Sequence, residues 1–197
     1  MRNQWYGDGR DLIKWGVLLH LATVRNLKRL VQAAYLRPDS SRPTLGWQQK
    51  SIPFPEPVWV HFRDIHDIKR LAKATGIEIK VIDTVYDAKA RKRYTDEVIS
   101  HYRSTLQRPT LIFLDPDTGI AERNAKPQHV TPKEVGEIWA SLKRKDWLVL
   151  YQHSNRDKRW LVKKRSEFKR ATGENRIETF RAKSGARDVA FFCVQKL

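Results

Sequence analysis

The chain has 197 residues, 39 of them Lys or Arg and 22 Asp or Glu, giving a net charge of +17 and a pI near 10.2. Its length and its 40% hydrophobic content indicate one globular domain and exclude a disordered tail, and no stretch approaches the ~20 apolar residues of a membrane span. A field this positive points to a polyanion, DNA or RNA, over a membrane surface, for which no strongly amphipathic terminal helix offers itself.

Residues 10–22, RDLIKWGVLLHLA, carry Leu12, Ile13, Val17, Leu18 and Leu21 at helical spacing. Asp8 or Asp11 can cap the start, so 1–24 is expected to be an N-terminal helical motif. RLVQAAYL (29–36) is a short apolar run and the first expected strand. Residues 37–57 are proline-rich with little periodicity and read as one long loop, a feature that in a compact domain is often functional. DIHDIKRLAKATG (64–76) is a helix closed by Gly76, and IEIKVID (77–83) is an alternating, β-branched strand. A charged helix is expected over 87–106 and a strand at LIFLD (111–115). Thr131-Pro132-Lys133-Glu134 has the pattern of a capping box, opening a helix that runs to about Lys143. DWLVLYQH (146–153) is a strand, and 157–171 a strongly basic helix ending before Gly173. IETFRAK (177–183) and DVAFFCVQK (188–196) flank a Ser-Gly pair as an antiparallel hairpin. The single cysteine, Cys193, lies in that apolar stretch and is expected to be an inert core thiol. With no signal-peptide layout in MRNQWYGDGRD, it favours a reducing, cytoplasmic setting.

Strands alternating with helices imply βαβ units. The expected fold is a single Rossmann-like α/β domain over 1–197, a three-layer sandwich whose mainly parallel sheet ends in a C-terminal antiparallel hairpin. Ligands of such folds bind outside the carboxyl ends of the strands, which puts Asp115, Asp117, His153 and Asn155 on one rim. The DPDTG segment (115–119) admits three readings. Its two carboxylates can hold Mg²⁺; the Asp-Pro turn can shape a pocket for a planar base; or the segment simply reverses the chain. In YQHSNR (151–156), His153 can serve as a general base, a ligand or a phosphate contact, or be merely hydrogen-bonded. In QWYGDGRDLIKW (4–15), Asp11 and Lys14 share a helix face. They read either as a surface ion pair on a capped helix or as part of a lid whose Lys14 reaches the rim.

Between Arg156 and Arg187 stand twelve basic and four acidic residues, nearly half of the net charge in 32 positions. Arg156, Lys158, Arg159, Lys163, Lys164 and Arg165 are the expected nucleic-acid contacts, and Trp47 a platform on which a base can stack. The chain has no GxGxxG, no GxxxxGK[ST], no CxxC or HExxH and no GxSxG, so ordinary dinucleotide binding, P-loop, zinc and hydrolase-elbow chemistries have no motif here.

Three stretches together carry a resemblance. NQWYGDGRDLIKWGVLL (3–19), IFLDPDTGIAE (112–122) and WLVLYQHSNR (147–156) resemble, in the same order, the NQYFGDxxDYxKYxLL, FFDPDNGLE and LLVYQHFPR elements of a widespread family of small bacterial and phage proteins. More distantly the arrangement is similar to class I S-adenosylmethionine-dependent methyltransferases, above all the rRNA adenine methyltransferases. Gly7, Asp8, Asp11, Lys14 and Trp15 match their opening element, and Asp115-Pro116 the first half of their Asp-Pro-Pro-Tyr. The resemblance implies a methyltransferase-like fold, cofactor contacts from Gly7, Asp8, Asp11 and Lys14, and a target amino group held at Asp115. The chain departs from that pattern in having no Gly-x-Gly after the first strand and Asp117-Thr118 in place of Pro-Tyr.

Three functions are therefore expected in competition. The first is methyl transfer from S-adenosylmethionine to DNA or RNA. The second is Mg²⁺-dependent phosphodiester cleavage with Asp115 and Asp117 on the metal and His153 activating water. The third is nucleic-acid binding without catalysis.

Overall fold

The computed structural model describes residues 9–37, 44–47, 50–53, 65–104, 108–121, 123–182 and 186–197. Helix α1 is Gly9–Val24, followed by strand β1, Arg29–Ala33. Within the span expected as one loop, β2 (Thr44–Trp47) and β3 (Lys50–Pro53) pair antiparallel, so that span contains a two-stranded ribbon. A 3₁₀ turn at Ile65–Ile68 leads into α2 (Lys69–Thr75), which Gly76 closes in the left-handed region at φ 68°. Then come β4 (Glu78–Ile82), α3 (Arg91–Arg103), β5 (Thr110–Leu114), the two-residue strands β6 (Gly119–Ile120) and β7 (His129–Val130), and α4 (Pro132–Ser141). The capping box forms as expected, with Thr131 accepting from the Glu134 N–H and Glu134 reaching back to Thr131. The chain ends with β8 (Trp147–His153), α5 (Trp160–Thr172), β9 (Glu178–Phe180) and β10 (Val189–Gln195).

Six strands form the central sheet in the order β4-β1-β5-β8-β10-β9. β4, β1, β5 and β8 are mutually parallel, and β10 runs antiparallel between β8 and β9. The C-terminal antiparallel hairpin is thus formed as expected, with β10 interior and β9 at the edge. β10 reads AFFCV and is buried on both faces, so it belongs inside, whereas the short, half-exposed β9 tolerates an edge.

Alternate residues serve opposite faces. Leu30, Leu111, Phe113, Val149 and Phe191 pack with Trp15, Leu18 and Leu21 of α1. Val31, Ile112, Leu114, Leu148 and Phe192 pack with Tyr94 and Val98 of α3, Val135 and Ile138 of α4, and Phe168 of α5. This gives three layers: α1 and α2 on one face, α3, α4 and α5 on the other. Cys193 is fully buried, and burial pushes its thiol up. No described helix is long and apolar enough to cross a membrane.

Strand order also locates a crevice. From β1 the chain moves outward to β4, then returns to the other side of β1 as β5. Such a reversal splays the connecting loops at the strand ends, and the crevice between β1 and β5 is where open α/β sheets take ligands.

Candidate functional site

The first residue after β5 is Asp115, at that crevice. Its N–H donates to the Ala33 carbonyl at the end of β1 (3.0 Å), and its side chain is only 1% exposed. Asp115 shares the α1-facing side of the sheet with Gln32, and the Gln32 amide donates to its Oδ2 at 2.9 Å. Lys14 comes down from α1 and closes the arrangement. Its Nζ stands 3.0 and 3.2 Å from the two Asp115 oxygens, 3.1 Å from Asp11 Oδ1, and 4.5 Å from the centre of the Tyr151 ring. Lys14 is 7% exposed and Asp11 4%. Burial by itself lowers the basicity of such an amine, but the Asp115 and Asp11 carboxylates outweigh it and hold Lys14 above its ordinary range, firmly charged. Of the two sequence readings of Asp11 and Lys14, the geometry is that of an internal network that fixes α1 over the crevice.

The second carboxylate of DPDTG goes elsewhere. Asp117 forms an ion pair with Arg37, on the segment that follows β1. The two acids are therefore matched to different cations on different elements. Among the described residues, no three His, Cys, Asp or Glu side chains converge as a metal cluster would require. The turn between them and β6 is set by Gly119, at φ 106°, over which the Gln152 amide lies flat. A Cβ at position 119 would stand 2.1 Å from Gln152 Oε1. Gln152 in turn accepts from the Ile120 N–H (2.9 Å) and donates to the Thr118 and His153 carbonyls (both 2.8 Å). This is the physical use of the glycine in DPDTG: it lets a buried amide stitch the loop to β8.

His153, at the end of β8, lies two residues beyond Tyr151 on the same side. The Tyr151 hydroxyl and His153 Nε2 are 3.0 Å apart, and His153 Nδ1 is 3.5 Å from Asp188 Oδ2, which also accepts from Arg10 at 2.9 Å. Burial, together with Arg10 and Lys14, lowers the His153 pKa against the opposing pull of Asp188, so the ring is neutral at pH 7. A neutral ring between these partners carries its proton on Nδ1 toward Asp188 and accepts from the tyrosine on Nε2. Burial raises the Tyr151 hydroxyl, with Lys14 opposing, and keeps it a donor.

The other predicted residues disperse. Gly7 and Asp8 lie outside the described residues, as does the side chain of Trp47. Arg156, Lys158 and Arg159 are exposed at the mouth of the β8–α5 connection. Lys163 pairs with Asp157, and Arg165 donates to the Ile177 carbonyl at 2.7 Å. Lys164 is half-buried, its ammonium donating to the Ile120 carbonyl at 2.8 Å and to Glu167, so it ties α5 to β6. Sequence reasoning missed Gln32, Tyr151, Asp188, Arg10 and Arg37. Gln32 left one trace, a lone polar residue inside an apolar strand.

β1 does not end in a glycine loop. The chain turns at Tyr35 and then runs beside the segment after β4, with Tyr86 N–H donating to the Leu36 carbonyl at 2.6 Å. Tyr35, at φ 47° and fully buried, packs its ring 5.0 and 4.9 Å from those of Tyr86 and Tyr94. Three tyrosines thus close the end of the strand.

No family model matches the chain, and no curated protein matches it. Among solved structures, it is similar to a protein of Thermobifida fusca YX described as a "putative methyltransferase". The TM-score is 0.50 at 11% identity, over 95% of this chain and 79% of that one. At that identity the likeness shows the fold alone: a mixed α/β scaffold with a mainly parallel sheet and C-terminal antiparallel strands.

Proposed function

We propose that this chain is a nucleic-acid-acting enzyme that transfers a methyl group from S-adenosylmethionine to an amino group of DNA or RNA, working at the β1–β5 crevice. The observation that carries the reading is the meeting of Lys14 and Asp115 at that crevice on a methyltransferase-like scaffold. The opening element and the Asp-Pro element, 101 residues apart in sequence, form one network there. The net charge of +17 supports a polyanionic substrate.

The acids present suit the cofactor. Asp83 directly follows β4 and Asp115 directly follows β5, so carboxylates stand on both sides of the end of β1, as a ribose-bearing, cationic ligand requires. In this reading Asp83 would accept from ribose hydroxyls and Lys14 would contact the ligand. When bound, S-adenosylmethionine supplies an intrinsically reactive methyl group. The residues of the chain then have to position the acceptor. Lys14 Nζ occupies the donor position opposite Asp115 that a target amino group would take. For Asp115 to hold that amino group, the Lys14 side chain has to swing aside. In this reading the proton that the amine loses passes to the Tyr151–His153–Asp188 chain, with His153 Nε2 as its acceptor.

Calorimetric titration with S-adenosylmethionine tests this, and no heat of binding at millimolar ligand would end it. The Mg²⁺ reading of Asp115 and Asp117 has no favouring observation, since each acid already faces its own cation. Cleavage of DNA or RNA that requires Mg²⁺, stops with EDTA and is lost in Asp117→Asn would nevertheless put that reading in place of methyl transfer.

A further inference from the structure

We propose that the groove between α5 and β9 is a binding track for single-stranded nucleic acid, leading to the rim; the proposal rests on the nucleic-acid half of the function proposed above. The groove has a volume of about 400 Å³. Its helix side is the stripe Val162, Arg165 and Lys169, at spacings that share one helix face. Its strand side is Ile177 and Thr179, alternate residues on one face of the sheet's edge. Val162 is 71% exposed, so the groove offers accessible apolar surface between its cationic side chains. No acidic residue lines the groove, and the Lys169 ammonium has no hydrogen-bond or ion-pair partner among the described residues. Apolar floor, cationic wall and neutral hydroxyls suit a chain of phosphates with exposed base faces, whereas a duplex hides those faces in its stack. α5 begins at Trp160, seven residues after His153, so the helix side of the groove starts from the rim end of β8.

The test is fluorescence anisotropy of a labelled 20-nucleotide single strand and of the matching duplex, across a salt series, with the full chain. Wild type is expected to bind the single strand more tightly than the duplex. Lys169→Ala should weaken single-strand binding about five-fold at ~0.1 M salt and lower the salt slope by about 0.7, the value of one phosphate contact on a single strand. Val162→Asp, at an exposed position that costs the fold little, should weaken it at least as much. Lys80→Ala, an equal charge change on β4 at the opposite edge of the sheet, should leave affinity within two-fold. Equal losses for Lys169→Ala and Lys80→Ala, or tighter binding of duplex, would overturn the groove while leaving nucleic-acid binding intact. No binding of either form by wild type at low salt would overturn both.

Discussion

Replacing Lys14 with methionine is the most revealing perturbation of the crevice. The substitution keeps most of the side chain's volume and removes its charge, leaving Asp115, at 1% exposure, facing only the Gln32 amide at 2.9 Å. Asp11, at 4% exposure, loses the same partner. Breaking one side of a buried ion pair costs about 3–5 kcal/mol, because the surviving charge has neither water nor a counter-charge. The Gln32 donor argues for the lower end. In a domain of this size about 3 kcal/mol corresponds to a fall in Tm of about 6–12 °C. Thermal unfolding followed by circular dichroism at pH 7 reads this directly. The double variant Lys14→Met with Asp115→Asn removes the stranded charge and should recover at least half of the loss. A shift under about 2 °C for Lys14→Met, or strictly additive effects in the double variant, would refute the idea that the two residues form one energetic unit.

Three further outcomes follow from the geometry. Gly119→Ala forces a Cβ into the Gln152 amide at a φ of 106°, so it should cost about 1–3 kcal/mol in denaturant unfolding; an unchanged midpoint would show that Gln152 is free to move away. Lys164→Met strands the Ile120 carbonyl and Glu167 and should destabilise by about 1–3 kcal/mol while leaving nucleic-acid affinity unchanged, the reverse of what a surface phosphate contact would do. His153 and His129 are both held below the ordinary histidine range, first of all by burial. In the unfolded chain they take up protons as pH falls through about 6.5, where the folded chain does not. Stability should therefore be fully present above about 6.5 and decline below it, and the double variant His153→Gln with His129→Gln should flatten that decline; an unaltered acid slope would contradict it.

Much of the scaffold was legible because its signals are local. Alternating strands, the capping box at Thr131–Glu134 and Gly76 after α2 all specify themselves over a few residues. The sheet order was not, since the insertion of β10 between β8 and β9 depends on pairing between distant segments. In α1 the period was right and the face was wrong in part. Leu12 is 75% exposed, while Asp11 and Lys14 lie on the buried stripe with Trp15 and Leu18. One of the two sequence readings left those two charges on the surface and the other brought Lys14 to the rim; the presence of Asp115 opposite them is what stabilises their burial. Asp188 and Arg10 were illegible for the same reason, because they meet His153 only once the sheet is assembled. The glycine of DPDTG was visible, but its reason, the Gln152 amide lying against it, is a contact between neighbouring strands.

The central claim is that Asp115, at the β1–β5 crevice, is where a nucleic-acid amino group is methylated. The most direct measurement is transfer of a radiolabelled methyl group from S-adenosylmethionine to total DNA and total RNA by the wild-type chain and by Asp115→Asn, each first checked for a folded circular dichroism spectrum. The account predicts label in one of the two nucleic acids with wild type and its loss in the folded variant. No label from wild type into either polymer, or equal labelling by Asp115→Asn, would contradict it.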